Sequence, residues 1–139
     1  MIAYFDTSAL VPLLVEEEGS QRAILVWDGA DRVVSARLVY AEGRAALGAA
    51  RRNDRVTSAA HRRAVAGLSL LYDQIDVVEI SDSVVRRAGE LAETHSLRGY
   101  DAVHLAAAET LTEEGVVLVA GHGPLVRAAA PIGLAVART

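Results

Sequence analysis

Three carboxylates, Asp6, Glu42 and Asp101, stand where an acid is either costly or useful. Asp6 ends the apolar run Ile2-Ala3-Tyr4-Phe5, which has the length of a strand. Thr7-Ser8-Ala9-Leu10-Val11 follows and reads as the first turn of a helix, with Pro12 still near that turn. An acid at the carboxyl end of the first strand of an α/β sheet lies where such folds place their ligand crevice. The same residue type also caps helices. Glu42 falls in a helix predicted from about Ala36 to Ala50, inside an apolar stripe of Leu38, Ala41, Ala45 and Ala49. A carboxylate on the buried side of a helix is expensive without a partner; the structural alternative is pairing with a nearby Arg at the stripe's edge. Asp101 falls in the first turn of a helix opened by Gly99-Tyr100, where the dipole favours an acid, on the side shared by Leu105 and Ala108.

Carboxylates gathered in one crevice repel, and either protonation or a divalent cation must relieve them. Cys is absent, so thiolate nucleophiles, disulfides and Cys-ligated zinc are excluded together. Hard oxygen donors suit Mg²⁺, with Mn²⁺ as the second candidate. Such an ion polarises a phosphoryl oxygen and lowers the pKa of its bound water, which points to a metal-dependent phosphodiesterase. All 14 basic residues are Arg, and the lack of Lys removes the P-loop lysine and Schiff-base chemistry. A net charge of −4 argues against non-specific coating of nucleic acid. A local Arg patch beside a metal remains compatible with it.

The elements that must position these acids alternate along the chain. Gln21–Trp27 begins a helix whose Ala23, Ile24 and Trp27 share a face. Val33-Val34-Ser35 reads as a strand, Thr57 as the cap of a helix over 58–72, and Asp76–Ile80 as an alternating strand. Ser81, Asp82 and Ser83 offer caps to a helix reaching about His95. Val116–Val119 is a continuous apolar run fit for a buried parallel strand. A short helix over 125–130 ends at Pro131, and Leu134-Ala135-Val136 reads as an edge strand. This alternation predicts one α/β domain over residues 1–139, a three-layer α/β/α sandwich with a mainly parallel central sheet. No apolar run reaches the ~18 residues of a membrane span, and Asp6 interrupts the only amino-terminal one, so the expected compartment is the cytoplasm.

Asp6-Thr7-Ser8-Ala9-Leu10, the segment Ala41-Glu42-Gly43-Arg44-Ala45-Ala46-Leu47, and Tyr100-Asp101-Ala102-Val103-His104-Leu105-Ala106-Ala107-Ala108 together resemble the PIN domain. Within it they are most similar to the VapC-type ribonuclease toxins of bacterial toxin–antitoxin pairs, over essentially the whole chain. The resemblance implies Mg²⁺- or Mn²⁺-dependent cleavage of single-stranded or looped RNA, leaving a 5′-phosphate and a 3′-hydroxyl. It also implies a homodimer and a cognate antitoxin whose tail blocks the acidic pocket. Carried over by residue, Asp6 and Asp101 match metal-holding acids and Glu42 the acid that completes the pocket. Thr7 or Ser8 matches a supporting hydroxyl. Where the family has a further Asp, three residues before a Leu, this chain has His122, counted back from Leu125. Imidazole brings no negative charge and is a poor ligand for Mg²⁺, so one metal is the expectation rather than two. His104 is expected to pack on its helix, since the acids already satisfy a hard ion.

Arg44, Arg51 and Arg52, with Arg55 beyond them, could contact RNA phosphates; equally, they could form a solvated helix end favoured by the dipole. Two other functions stay open at this point. One is a non-catalytic PIN-fold interaction module, kept in view by the missing fourth acid. The other is a phosphate-receiver signalling domain, which normally needs an acid pair after its first strand and a Lys near its last. The identity of the RNA is not written in a chain with so few aromatic residues to stack on bases.

Overall fold

The computed structural model describes residues 1–121 and 123–139. Among these residues five strands, β1 (Ile2–Phe5), β2 (Arg32–Ala36), β3 (Asp76–Val78), β4 (Val117–Ala120) and β5 (Ala135–Arg138), form one sheet in the order β3-β2-β1-β4-β5. Every pairing is parallel, with Tyr4 opposite Val34 on one side and Leu118 on the other. The order differs from the 2-1-3-4-5 arrangement of receiver-type domains, which removes that reading.

Strand periodicity divides the core. Ala3 and Phe5 point to one face of the sheet and Tyr4 to the other, and all three are fully buried. The Phe5 face packs against α1 (Thr7–Leu10), α2 (Ser20–Gly29), α3 (Val39–Arg52) and α4 (Ser58–Tyr72). The Tyr4 face packs against α5 (Asp82–His95), α6 (Gly99–Glu109) and α7 (Pro124–Ala129). The three-layer sandwich predicted from the sequence is therefore present, with a wholly parallel sheet.

Local chemistry sets several boundaries. The Thr57 hydroxyl accepts from the Ala60 amide at 3.0 Å and caps α4, and Ser81 caps α5 through Val84 at 3.3 Å. Helix α3 departs from its predicted face. It starts at Val39, and its buried residues are Val39, Gly43, Leu47 and Ala50, whereas Ala41 and Ala45 are exposed and Leu38 is half-buried. Gly43 belongs to that face because a Cβ there would lie 3.0 Å from Leu68 of α4, so α3 and α4 approach by leaving out a side chain. In α2, Ile24 is 46% exposed, and Val26 joins Ala23 and Trp27 in facing the core. The strand predicted over Asp76–Ile80 ends at Val78. His122 lies outside the described residues.

Candidate active site

A cavity of about 540 Å³ opens at the carboxyl end of β1, and Asp6, Glu42 and Asp101 all line it. Each arrives on a different element. Asp6 follows the last residue of β1, and its amide continues the ladder by donating to the Val119 carbonyl at 3.1 Å. Glu42 comes from the first turn of α3 and Asp101 from the first turn of α6.

Asp6 is 6% exposed and is both the cap of α1 and a wall of the cavity. Its Oδ1 accepts from the Ser8 hydroxyl at 2.7 Å and from the Ala9 amide at 3.1 Å. Burial raises its pKa to about 6; the pull of His104 and the Ser8 and Ala9 hydrogen bonds oppose that rise, and the Asp101 charge adds to it. Ser8 in turn accepts from the Gly121 amide at 2.9 Å, tying the end of β4 to the start of α1. A Cβ on Gly121 would stand 3.3 Å from that hydroxyl.

Glu42 has a different fate. Burial pushes its pKa up, but hydrogen bonding and charge at His104 and a bond from Thr7 outweigh that, and the group stays below the ordinary carboxylate range. The Thr7 hydroxyl donates to Oε1 at 2.9 Å, and Nε2 of His104 meets the same oxygen at 2.5 Å. Its partner is therefore an imidazole, and the nearby Arg considered from helix geometry is not used. His104 is 1% exposed, packed in its helix as expected, yet its ring reaches the cavity wall. Its Nδ1 lies 2.9 Å from the Tyr4 hydroxyl. Burial, with the charges of Asp6 and Glu42 adding, holds the Tyr4 phenol protonated well above its usual range.

The hydroxyls of Thr7 and Ser8 thus each serve one acid, Thr7 holding Glu42 and Ser8 holding Asp6. The arginines fall elsewhere. Arg44 donates to the Tyr40 hydroxyl at 3.0 Å and lies over that ring, Arg51 sits 3.6 Å from Asp54, and Arg52 is exposed. None of the three lines the cavity among the described residues, whereas Arg55 does, together with Glu16 and Glu17. His104 is the residue that sequence reasoning undervalued. Its signal was the i, i+3 spacing from Asp101, which sets both near the cavity.

Among the described residues, no three His, Asp or Glu side chains converge tightly enough to hold an ion directly. The cavity walls instead present two acids tuned in opposite directions, Asp6 upward and Glu42 downward, with a third beside them. Environments that separate the pKa values of neighbouring acids are the usual basis for dividing roles between them.

The model of the PIN domain family matches residues 3–119. The chain belongs to the PIN-domain family. Ribonucleases VapC45 and VapC49 of Mycobacterium tuberculosis are each 44% identical to this PIN domain over 117 residues, spanning 84% of this chain and 81% of theirs. Among solved structures, VapC20 of M. tuberculosis, described as a sarcin–ricin loop cleaving toxin, superposes with a TM-score of 0.69 at 20% identity. That match covers 91% of this PIN domain and 94% of the other chain. The VapBC-5 toxin–antitoxin structure from the same species superposes with a TM-score of 0.67 at 16% identity, covering 99% and 98%. At these identities the structural matches speak for the fold.

Proposed function

We propose that this PIN domain is the endoribonuclease toxin of a toxin–antitoxin pair, hydrolysing RNA phosphodiester bonds with a divalent cation. The observation that carries the reading is three carboxylates from distant parts of the chain lining one cavity, in a protein 44% identical to named ribonucleases. The donor set fits a hard ion. The cavity offers carboxylate and hydroxyl oxygens, no thiolate exists, and both nitrogens of His104 are engaged by Tyr4 and Glu42. Asp6 and Asp101 would hold Mg²⁺ or Mn²⁺, partly through water, with Glu42 completing the acidic wall. Dispersed carboxylates accord with an ion that keeps several of its waters. When bound, the ion supplies polarisation of a phosphoryl oxygen and offsets the charge that develops there.

The chain's own residues supply the rest. Ser8 and the Ala9 amide fix one oxygen of Asp6. Glu42, ionised and anchored at Oε1, orients the attacking water and accepts its proton. Arg55, on the cavity wall, meets the phosphate of the bound strand, while Arg44, Arg51 and Arg52 stand farther out. The products are a 5′-phosphate and a 3′-hydroxyl. The partners of this reading are single-stranded or looped RNA, a cognate antitoxin that covers the acidic cavity, and a second copy in a homodimer. The compartment is the cytoplasm; no helix is long and apolar enough to cross a membrane among the described residues.

A non-catalytic interaction module is the second reading, favoured by His122 standing where the family carries an acid. One assay separates the two. Purified protein is incubated with structured RNA in Mg²⁺, with and without chelator, beside Asp6→Asn and Asp101→Asn. The enzyme reading expects chelator to stop cleavage and each variant to lose about 100-fold or more, the scale of removing a preorganised charge. Parent-like cleavage by either variant overturns the site. A parent that never cleaves, yet still binds its antitoxin, selects the module.

A further inference from the structure

Tyr4, His104 and Glu42 form a continuous hydrogen-bonded chain that starts in the core and ends at the cavity. Tyr4 sits on β1 with no exposure, and His104 on α6 with 1%. A phenol and an imidazole are costly in an apolar layer unless satisfied, and a Phe would pack the same space without that demand. We propose that Tyr4 and His104 are positioning residues, which lock Oε1 of Glu42 in place and present its second oxygen to the water and phosphate in the cavity. The proposal rests on the reading of Glu42 given above.

The direction of each bond follows from what the groups can do. A carboxylate only accepts, so Nε2 of His104, 2.5 Å from Oε1, carries a hydrogen. The protonated ring donates from both nitrogens; once it is neutral, Nδ1 is a bare acceptor and the Tyr4 hydroxyl at 2.9 Å donates to it. Thr7 gives Oε1 its second donor at 2.9 Å. Among the described residues Oε2 receives no protein donor, so the two oxygens of one carboxylate have different tasks. Without the Tyr4 hydroxyl Nδ1 is left a buried acceptor with no donor, the ring loses one of the two bonds that hold it, and the grip on Oε1 loosens. The ring itself is held edge-on to Tyr4, with centroids 5.9 Å apart and planes at 77°, so its orientation is set before its tautomer.

Two measurements test this. At a pH where the ring is neutral, imidazole ¹⁵N spectra of the metal-free parent should show the Nε2–H tautomer at His104 with a hydrogen-bonded Nδ1, and Tyr4→Phe should move the Nδ1 resonance to that of an acceptor without a donor. In RNA cleavage with Mg²⁺, Tyr4→Phe should lower kcat about tenfold, the scale of one hydrogen bond, with KM unchanged. In a Glu42→Gln background the same substitution should cause no further loss. An Nδ1–H tautomer in the parent, or a parent-like kcat in Tyr4→Phe, overturns the proposal. So does an equal loss in the Glu42→Gln background, which would mean general damage. If Glu42→Gln alone cleaves as fast as the parent, the role of Glu42 falls, and the parent spectrum judges separately whether the chain of bonds exists.

Discussion

The two ends of the sheet carry acids in opposite circumstances. At the amino end, where β1, β2, β3 and β4 begin, Asp31 pairs with the Met1 ammonium, and Arg32 reaches Asp76 at 2.5 Å and Glu114 at 3.0 Å. These groups lie 36–84% exposed, and each acid has a cation against it. At the carboxyl end Asp6 is 6% exposed, and its neighbours include another acid. Water and ion pairing make charge nearly free at one end, while desolvation makes it expensive at the other. The proposed chemistry rests on that costly end, and the amino end is left as surface.

The comparison can be sharpened first through pH. The folded pKa of Asp6 is about 6 against an ordinary 3.8, so the folded state binds that proton more tightly than the unfolded one. Its contribution is full below pH 4, is lost as pH rises through 6, and amounts to about 3 kcal/mol for a shift of that size. Denaturant melts of metal-free parent and Asp6→Asn should converge toward pH 4 and separate by pH 7, with the variant more stable. Asn keeps the helix cap, which isolates the charge. A constant gap across pH would break the contrast. Added Mg²⁺ should raise the parent's melting temperature more at pH 7.5 than at pH 5, where Asp6 is protonated.

A smaller effect is expected at the hydroxyl that serves Asp6. Ser8→Ala removes the 2.7 Å donor to Asp6 and the acceptor for the Gly121 amide, and should cost about 1 kcal/mol. It should also move the pH transition upward, because one of the bonds opposing the rise is gone. The smallest effect belongs to the amino end. Asp76→Asn should leave the melting temperature and RNA cleavage unchanged, and a measurable loss of either would show that end to matter after all.

How much of this was legible depends on how sharply each residue speaks. Thr57 and the run to Tyr72 marked α4 to the residue, because a capping hydroxyl and a periodic apolar face agree there. Asp6 and Asp101 could be placed at the crevice because a strand end and a helix start are local signals, whereas Glu42 was placed there from an inward helix position and the family resemblance. The face of α3 could not be phased. Alanine fits several registers of a helix about equally, and Gly43 is buried for what it lacks, a property no hydropathy pattern carries. The bond between His104 and Glu42 spans 62 residues and depends on how α6 and α3 cross the sheet, which neither segment encodes alone.

The strand at the centre of the sheet is also the earliest of the five in chain order. Ile2–Phe5 gains one neighbour from residues 32–34 but waits for the other until residues 117–119 have been made. The acids at positions 6 and 101 therefore stay apart until the segment that separates them has been made. The parallel topology thus makes completion of the cavity depend on contacts between residues far apart in the chain, the kind of pairing that forms slowly.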